Sequence, residues 1–246
     1  MAGALTRREV IVAYTSALAL VKGFGGYKPM DEQPVRKVVV VEDETLRQLK
    51  AVWSRTGYSE IIFNEYYDKL STVMIPLSYS ASDVERFSIA LAEFQEGRNF
   101  QDNAGVFLSA LINNCKDDTF VVHTAQFVEP ICFLGYRNMK NIVVDGAVGN
   151  QAGTVMSDGT ITVQGNAGEH VGSGMTGGTI IVEGNAGDFA GWYMENGVIR
   201  IGGNSGDMVC CGMEGGVFHV RGDYERIADD IKHGKIYHKG RLIVDK

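Results

Sequence analysis

From residue 141 the chain repeats itself every nineteen residues: NIVVDGAVGNQAGTVMSDG, TITVQGNAGEHVGSGMTGG, TIIVEGNAGDFAGWYMENG and VIRIGGNSGDMVCCGMEGG, then a fifth start, VFHVRGDYE. The four full blocks align without insertion. Self-similarity at a fixed period in this range implies a solenoid, in which each repeat is one coil that buries its apolar face only by stacking on the next. No ordinary layered domain requires the same residue type at the same place in every block.

Each block opens with a strand pattern. Ile142, Ile161, Ile180, Ile199 and Phe218 form one column, and Val144, Val163, Val182, Ile201 and Val220 form another two residues on. The column between them is mixed: Val143, Thr162, Ile181, Arg200 and His219. A period of two with one apolar face describes a short strand with its first and third columns inward, and coils stacked in parallel ladders about 4.8 Å apart. Ala152, Val171, Ala190 and Val209 are a further inward column, and Met156, Met175, Met194 and Met213 supply flexible apolar filling for the coil interior.

Glycine is concentrated in this half: 8 of the 31 glycines precede residue 141 and 23 follow. The structural corner positions are Gly146, Gly149 and Gly153; Gly165, Gly168 and Gly172; Gly184, Gly187 and Gly191; Gly203 and Gly206; and Gly222. Two demands select glycine there: left-handed or otherwise unusual backbone angles at sharp corners, and stacking too close for a Cβ. Asn166, Asn185 and Asn204 follow the first glycine of their blocks, where stacked amides can form a hydrogen-bonded ladder.

The spacing GxxGxxxG, recurring in register, resembles the GXGXG repeat family. Its members include the C-terminal domain of the glutamate synthase large subunit, the repeat-bearing subunit of formylmethanofuran dehydrogenase and the related subunit of the bacterial formyltransferase/hydrolase complex. The resemblance covers roughly residues 119 to 222 and implies a right-handed parallel β-helix. It also implies that the β-helix carries no catalytic residue and serves as a rigid spacer and docking surface for neighbours that hold flavin, iron–sulfur or molybdopterin chemistry. Cys210 stands where the fourth block should have its third glycine, which leaves a reshaped corner open there.

The first half reads as α/β. Val38–Glu42 is expected as a buried strand, and Asp43 and Gly57 as the caps of one helix. Glu60–Phe63 and Ser71–Leu77 look like further strands, the second ended by Pro76. A helix capped by Ser82, a helix over Asn103–Asn113 and a strand over Thr119–Thr124 complete it. Expected overall is an α/β domain over residues 1–118, a parallel β-helix of nineteen-residue coils over 119–223, and a C-terminal cap over 224–246. Charge and helical composition rise in the cap (Tyr224–Gly234), and Lys239-Gly240 is placed to turn a short hairpin.

A net charge of −7 disfavours nucleic acid and anionic membranes as partners. Val10–Val21 is uncharged but too short to span a bilayer. Its flanks, Glu9 and Lys22, favour an amphipathic or buried helix over a targeting segment. Cys115, Cys132, Cys210 and Cys211 form no CxxC, so reduced thiols in a cytoplasmic protein are expected.

No residue is assigned to catalysis, to a cofactor or to a metal. GSGMTG, Gly172–Gly177, matches GxGxxG, but a strand pattern follows it where a dinucleotide site needs a helix. Glu169, Asp188 and Asp207 form an acidic column that reads as solvated surface, with a weak cation site as the alternative. Nothing basic near Cys210–Cys211 in sequence would activate a thiol. The five histidines, His123, His170, His219, His233 and His238, are scattered, with His219 and His238 expected to point outward. The expected function is a non-catalytic scaffold within a redox or one-carbon enzyme complex, its partners being other subunits or further copies of itself. Two alternatives stay open: a stand-alone enzyme using an outer face of the β-helix, and a small-ligand module with its site between the halves, near Phe127–Tyr136.

Overall fold

The structure, a computed structural model, describes residues 40, 42–57 and 63–246. Val10–Val21 lies outside them, as does most of the strand expected over Val38–Glu42. Val40 is buried, and neither Val40 nor Glu42 belongs to a strand.

Among the described residues four helices come first: α1 (Glu44–Thr56), α2 (Phe63–Met74), α3 (Ala81–Ala90), continued by a 3-10 turn over Leu91–Phe94, and α4 (Phe100–Asn114). Among the described residues no strand precedes Thr119. The start of α1 is fixed by Asp43, whose carboxylate accepts from the Leu46 N–H at 2.9 Å, and Gly57 follows its end. Leu46, Leu49, Val52 and Trp53 make one buried stripe at helical spacing. Of the strand expected over Glu60–Phe63 only Phe63 is among the described residues, and the strand expected over Ser71–Leu77 gives way to the end of a helix. Phe63 opens α2, and Ser71–Met74 closes it, because Tyr66, Leu70 and Met74 bury one face at a four-residue period. The cap of α3 is Ser80 rather than Ser82. Asp83 sits three residues on, and the two complete a capping box, with the Ser80 N–H donating to Asp83 at 2.8 Å.

Eight strands follow in one sheet, ordered β1 to β8 in sequence: β1 (Thr119–His123), β2 (Asn141–Asp145), β3 (Thr160–Val163), β4 (Thr179–Val182), β5 (Val198–Ile201), β6 (Val217–Val220), β7 (Lys235–His238) and β8 (Arg241–Asp245). Each of β1 to β6 pairs in parallel with the next, which makes a β-solenoid of about six turns. Partners are 19 residues apart from β2 to β6, 22 apart between β1 and β2, and 18 apart between β6 and β7. The repeat thus runs one coil further than the sequence pattern. The tail Tyr224–Gly234 is a coil rather than a helix, bridged to the one before at Ser205–Tyr224 and Val209–Ile227. β8 then folds back antiparallel on β7 through Lys239-Gly240, both left-handed, as a two-residue hairpin requires.

Both predicted strand columns, the Ala/Val column and all four methionines are buried. The core continues into the helices without a break. Residue 105 is glycine because α4 runs against the first coil there: a Cβ would meet the Cys132 carbonyl carbon at 2.9 Å. Around that contact the Cys132 N–H donates to the Gln101 carbonyl at 3.0 Å, the Gly135 N–H to the Ser109 hydroxyl at 2.9 Å, and Asn113 Nδ2 to the Arg137 carbonyl at 3.1 Å.

Candidate functional site

Strand alternation aims the first and third residues of each strand away from the core. Along the stack the third position reads Val121, Val143, Thr162, Ile181, Arg200, His219 and Tyr237, and the first reads Thr119, Asn141, Thr160, Thr179, Val198, Val217 and Lys235. The result is a flat face, β-branched and mostly half-buried through its middle. Among the described residues, helical packing on the sheet is concentrated on β1. The charges on this face are acidic at Asp145 of β2 and at Glu183 just past β4, and mostly basic from β5 onward, at Arg200, Arg221, Lys235 and Lys239, with Asp245 opposite Lys235. His219 stacks on Tyr237 with ring centroids 4.7 Å apart, and burial together with Arg200 lowers its pKa. His238, expected to point outward, is instead in register with the inward Val220 and half-buried at the end of its strand, with Nε2 3.0 Å from the Gly222 carbonyl oxygen.

The corner glycines divide into two groups. Gly146, Gly153, Gly172 and Gly191 have left-handed φ, between 68° and 134°. Gly149, Gly165, Gly168, Gly184, Gly187, Gly203, Gly206 and Gly222 do not, so a left-handed requirement is wrong for them. They are glycine because the coils touch: a Cβ at Gly184 would lie 2.7 Å from the Gly165 carbonyl oxygen. Cys210 keeps the left-handed φ of the glycines it replaces, at 59°, so that corner is not reshaped.

Sequence reasoning missed the left-handed residues that are not glycine. Gln151, His170, Phe189 and Met208 form one such column, and Val155 and Tyr193 share another with Gly174 and Gly212. Every second residue of this corner is left-handed. Except at Met208, whose N–H bonds the Asp207 carboxylate at 2.8 Å, their N–H groups donate forward to the next coil, as His170 does to Asp188 and Tyr193 to Cys211, each at 2.8 Å. Those bonds offset a conformational cost of about 1–2 kcal/mol per residue. No residue type marks the positions, so no sequence signal finds them. On the outside of this corner His170 stacks on Phe189 at 5.0 Å and leans on Trp192 at 5.1 Å.

The asparagine column forms a ladder of a different kind from stacked amides. Each side-chain oxygen accepts the backbone N–H one coil on: Asn166 from Asn185 at 2.8 Å, Asn185 from Asn204 at 2.7 Å, and Asn204 from Asp223 at 2.8 Å. The acidic column does similar work. Asp188 accepts from the Asp207 N–H at 2.8 Å, and Asp207 takes a two-pronged pair from Arg226 at 2.9 and 3.0 Å. That guanidinium, with the Met208 N–H, holds the Asp207 carboxyl below the usual range. Glu169 is exposed, its N–H bonded to Asn150 Oδ1 at 2.9 Å. Among the described residues no group of three or more His, Cys, Asp or Glu is placed to hold a metal ion.

Burial raises the pKa of all four thiols, Cys132 to about 11 and Cys211 with help from Asp230, so none is an activated nucleophile. GSGMTG is a turn leading into β4, with no helix after it. His123 lies between Asp145, at 2.9 Å from Nδ1, and Glu85, at 3.1 Å from Nε2, and ties α3 to the first two strands. At the junction of the halves Phe127, Ile131, Leu134 and Tyr136 are core residues. Beside them is a hollow of about 190 Å³ lined by Gln95, Glu96, Phe100, Gln101, Val128 and Glu129. That is below the ~300 Å³ at which ligand pockets usually start. No described helix is long and apolar enough to cross a membrane. No protein-family model, no curated protein and no solved structure matches the chain.

Proposed function

We propose that this chain is a non-catalytic docking module of an oxidoreductase assembly, of the glutamate synthase or formylmethanofuran dehydrogenase kind. One observation carries the reading: the outer face of a parallel sheet, rich in Val, Ile and Thr, left without a covering layer among the described residues. Parallel sheets are ordinarily covered on both faces. A rigid sheet face that is β-branched through its middle suits a partner subunit better than a small substrate, which needs a concave site. The coil interior supports the same use. It is filled by side chains at every level, so the stack holds its surface to a fixed shape.

The test is co-purification of the tagged chain from its native cells, wild type against Ile181→Arg, with partners identified by mass spectrometry and cofactor spectra. A flavin, iron–sulfur or molybdopterin protein retained by wild type and lost by the variant, with melting unchanged, supports the reading. A chain that retains no such protein refutes it.

A further inference from the structure

The outer face of the sheet carries basic groups at its β5–β7 end, and two of them form a pair. Arg200 stands across from His219 in the β5–β6 register, and His219 across from Tyr237 in the β6–β7 register. The Arg221 N–H continues the β5–β6 ladder by donating to the Ile201 carbonyl oxygen at 3.0 Å. Arg221 therefore lies two residues beyond His219 on the same face, and Gly202 two residues beyond Arg200. The four positions make a square, with exposed arginines at the ends of one diagonal, about 8 Å apart by strand spacing and rise. The other diagonal holds His219, its ring stacked on Tyr237 at 4.7 Å, and Gly202, which puts no side chain on the face.

Other basic groups at this end of the stack are matched within the chain. Lys235 pairs with Asp245 at 3.5 Å, Lys239 with Asp223 at 2.6 Å, Lys232 with Glu214 at 2.6 Å and Arg226 with Asp207 at 2.9 Å. Arg200 and Arg221 have no carboxylate partner among the described residues, although the chain holds 30 acidic residues to 23 basic ones. After burial, Arg200 is the cause that lowers the His219 pKa, as an uncompensated charge beside it would. Guanidinium is suited to a planar, two-pronged grip on a carboxylate, and arginine is enriched where proteins meet. Both arginines reach over the open Gly202 corner, next to the apolar middle of the face at Ile181 and Thr162. We infer that the partner docks with an acidic segment, an Asp or Glu carboxylate seated between Arg200 and Arg221 and its apolar part laid along Ile181 and Thr162. This rests on the docking reading above and gives that partner its chemistry and its orientation on the stack.

Zero-length cross-linking of the tagged full chain in extracts of its native cells tests this. Arg200→Lys and Arg221→Lys keep the charge and supply an amine that a carbodiimide joins to a carboxylate in contact. Cross-links from both positions to Asp or Glu residues of one retained protein are expected, mapped by mass spectrometry. Arg200→Glu and Arg221→Glu are each expected to weaken retention of that protein roughly tenfold, with melting unchanged. Arg241→Glu, at an exposed position in register with His238 and off this face, is expected to leave retention as it is. No cross-link to another protein, cross-links only to a second copy of this chain, or retention indifferent to both reversals would each overturn the inference. A redox protein lost with Ile181→Arg but kept with both reversals would overturn it and leave the docking reading standing. A cross-linked acidic partner without flavin, iron–sulfur or molybdopterin would support it and refute the oxidoreductase assembly.

Discussion

The helical layer and the coils share one core but are held together by opposite means. In the helices, stability comes from side-chain volume used once. Trp53 meets Phe100 and Phe107 edge-on at 5.8 and 5.2 Å, and Phe107 leans on Phe87 at 5.3 Å. In the coils, stability comes from side chains that are missing. Backbone from successive coils meets at the glycine columns, and each methionine methyl occupies the space over a glycine one coil on, as Met156 does over Gly178. One region tolerates change where volume is kept; the other tolerates it only where nothing is added.

The largest test of that contrast is at the far end of the stack, where none of the described helices stands. Deleting residues 224–246 removes the rest of the sixth coil after β6, together with β7 and β8, and bares the strand holding Phe218 and Val220. Aggregation or filament-like association is expected, read by light scattering and electron microscopy. A truncated chain that stays monodisperse and melts like the full one would show that a coil needs no cover. Next in size is Phe107→Ala in the helical layer, expected to cost about 3–5 kcal/mol in denaturant unfolding. Because the core is continuous, the whole chain is expected to unfold in one shifted transition. Two transitions, with only the first moved, would divide the molecule at α4.

Gly184→Val is the matching change in the coils. It adds volume where the helical change removes it, and is expected to cost about 2–4 kcal/mol, through collision with the neighbouring coil. Thermal melting within error of wild type would mean that the coils can part locally, and the contrast between the two regions would fail.

The same contrast decides what is legible in the sequence. Coils two to five announce themselves because one geometric demand recurs at Gly146, Gly165, Gly184 and Gly203. The sixth coil does not, because it loses a residue between Tyr224 and Ile227, and with it the left-handed corner: no residue from 217 to 233 has a left-handed φ. The first coil keeps that corner at Phe133, Gly135 and Arg137 but spends only one glycine on it. In the helical layer nothing recurs, so each element stands alone in the sequence. α1 is legible from Asp43 and Gly57. The end of α2 is not, because the window Ser71–Leu77 cuts Met74 away from Tyr66 and Leu70, whose spacing shows the helix. As for the site, the outward column from Val143 to His219 is visible in the sequence, but only as a mixed one.

A smaller effect separates the regions by pH. Asp43 and Asp83 cap α1 and α3, and Arg86 ties the two carboxylates together. The Leu46 N–H holds the Asp43 carboxyl low; for Asp83 burial acts the other way, but the bonds from Ser80 and Arg86 outweigh it. A carboxyl depressed in the folded state stabilises above its unfolded pKa, and that contribution is lost as pH falls through the folded value. Stability is therefore expected to decline from about pH 5 downward. Asp83→Asn is expected to flatten that decline in urea titrations at a series of pH values. An unchanged slope would place the acid-sensitive groups in the coils.

The smallest effect expected is a gain. Val155 is β-branched, 41% exposed and left-handed at φ 56°. Two coils that follow solve the same corner with Gly174 at 59° and Gly212 at 67°. A valine in this conformation carries a backbone cost of about 1–2 kcal/mol that glycine does not. Glycine's extra freedom in the unfolded chain returns part of it, roughly 0.5–1 kcal/mol. The N–H of residue 155 keeps its bond to the Ser173 carbonyl oxygen, 2.8 Å away, whichever side chain is present. Val155→Gly is therefore expected to raise stability by about 0.5–1 kcal/mol, a rise of a degree or two in melting temperature for a chain this long. In a helix of the first region the same replacement would lower stability by a similar amount. A loss on Val155→Gly would mean that the exposed isopropyl group contributes more packing than its backbone costs, and the rule that coils gain from missing side chains would end at the surface of the stack.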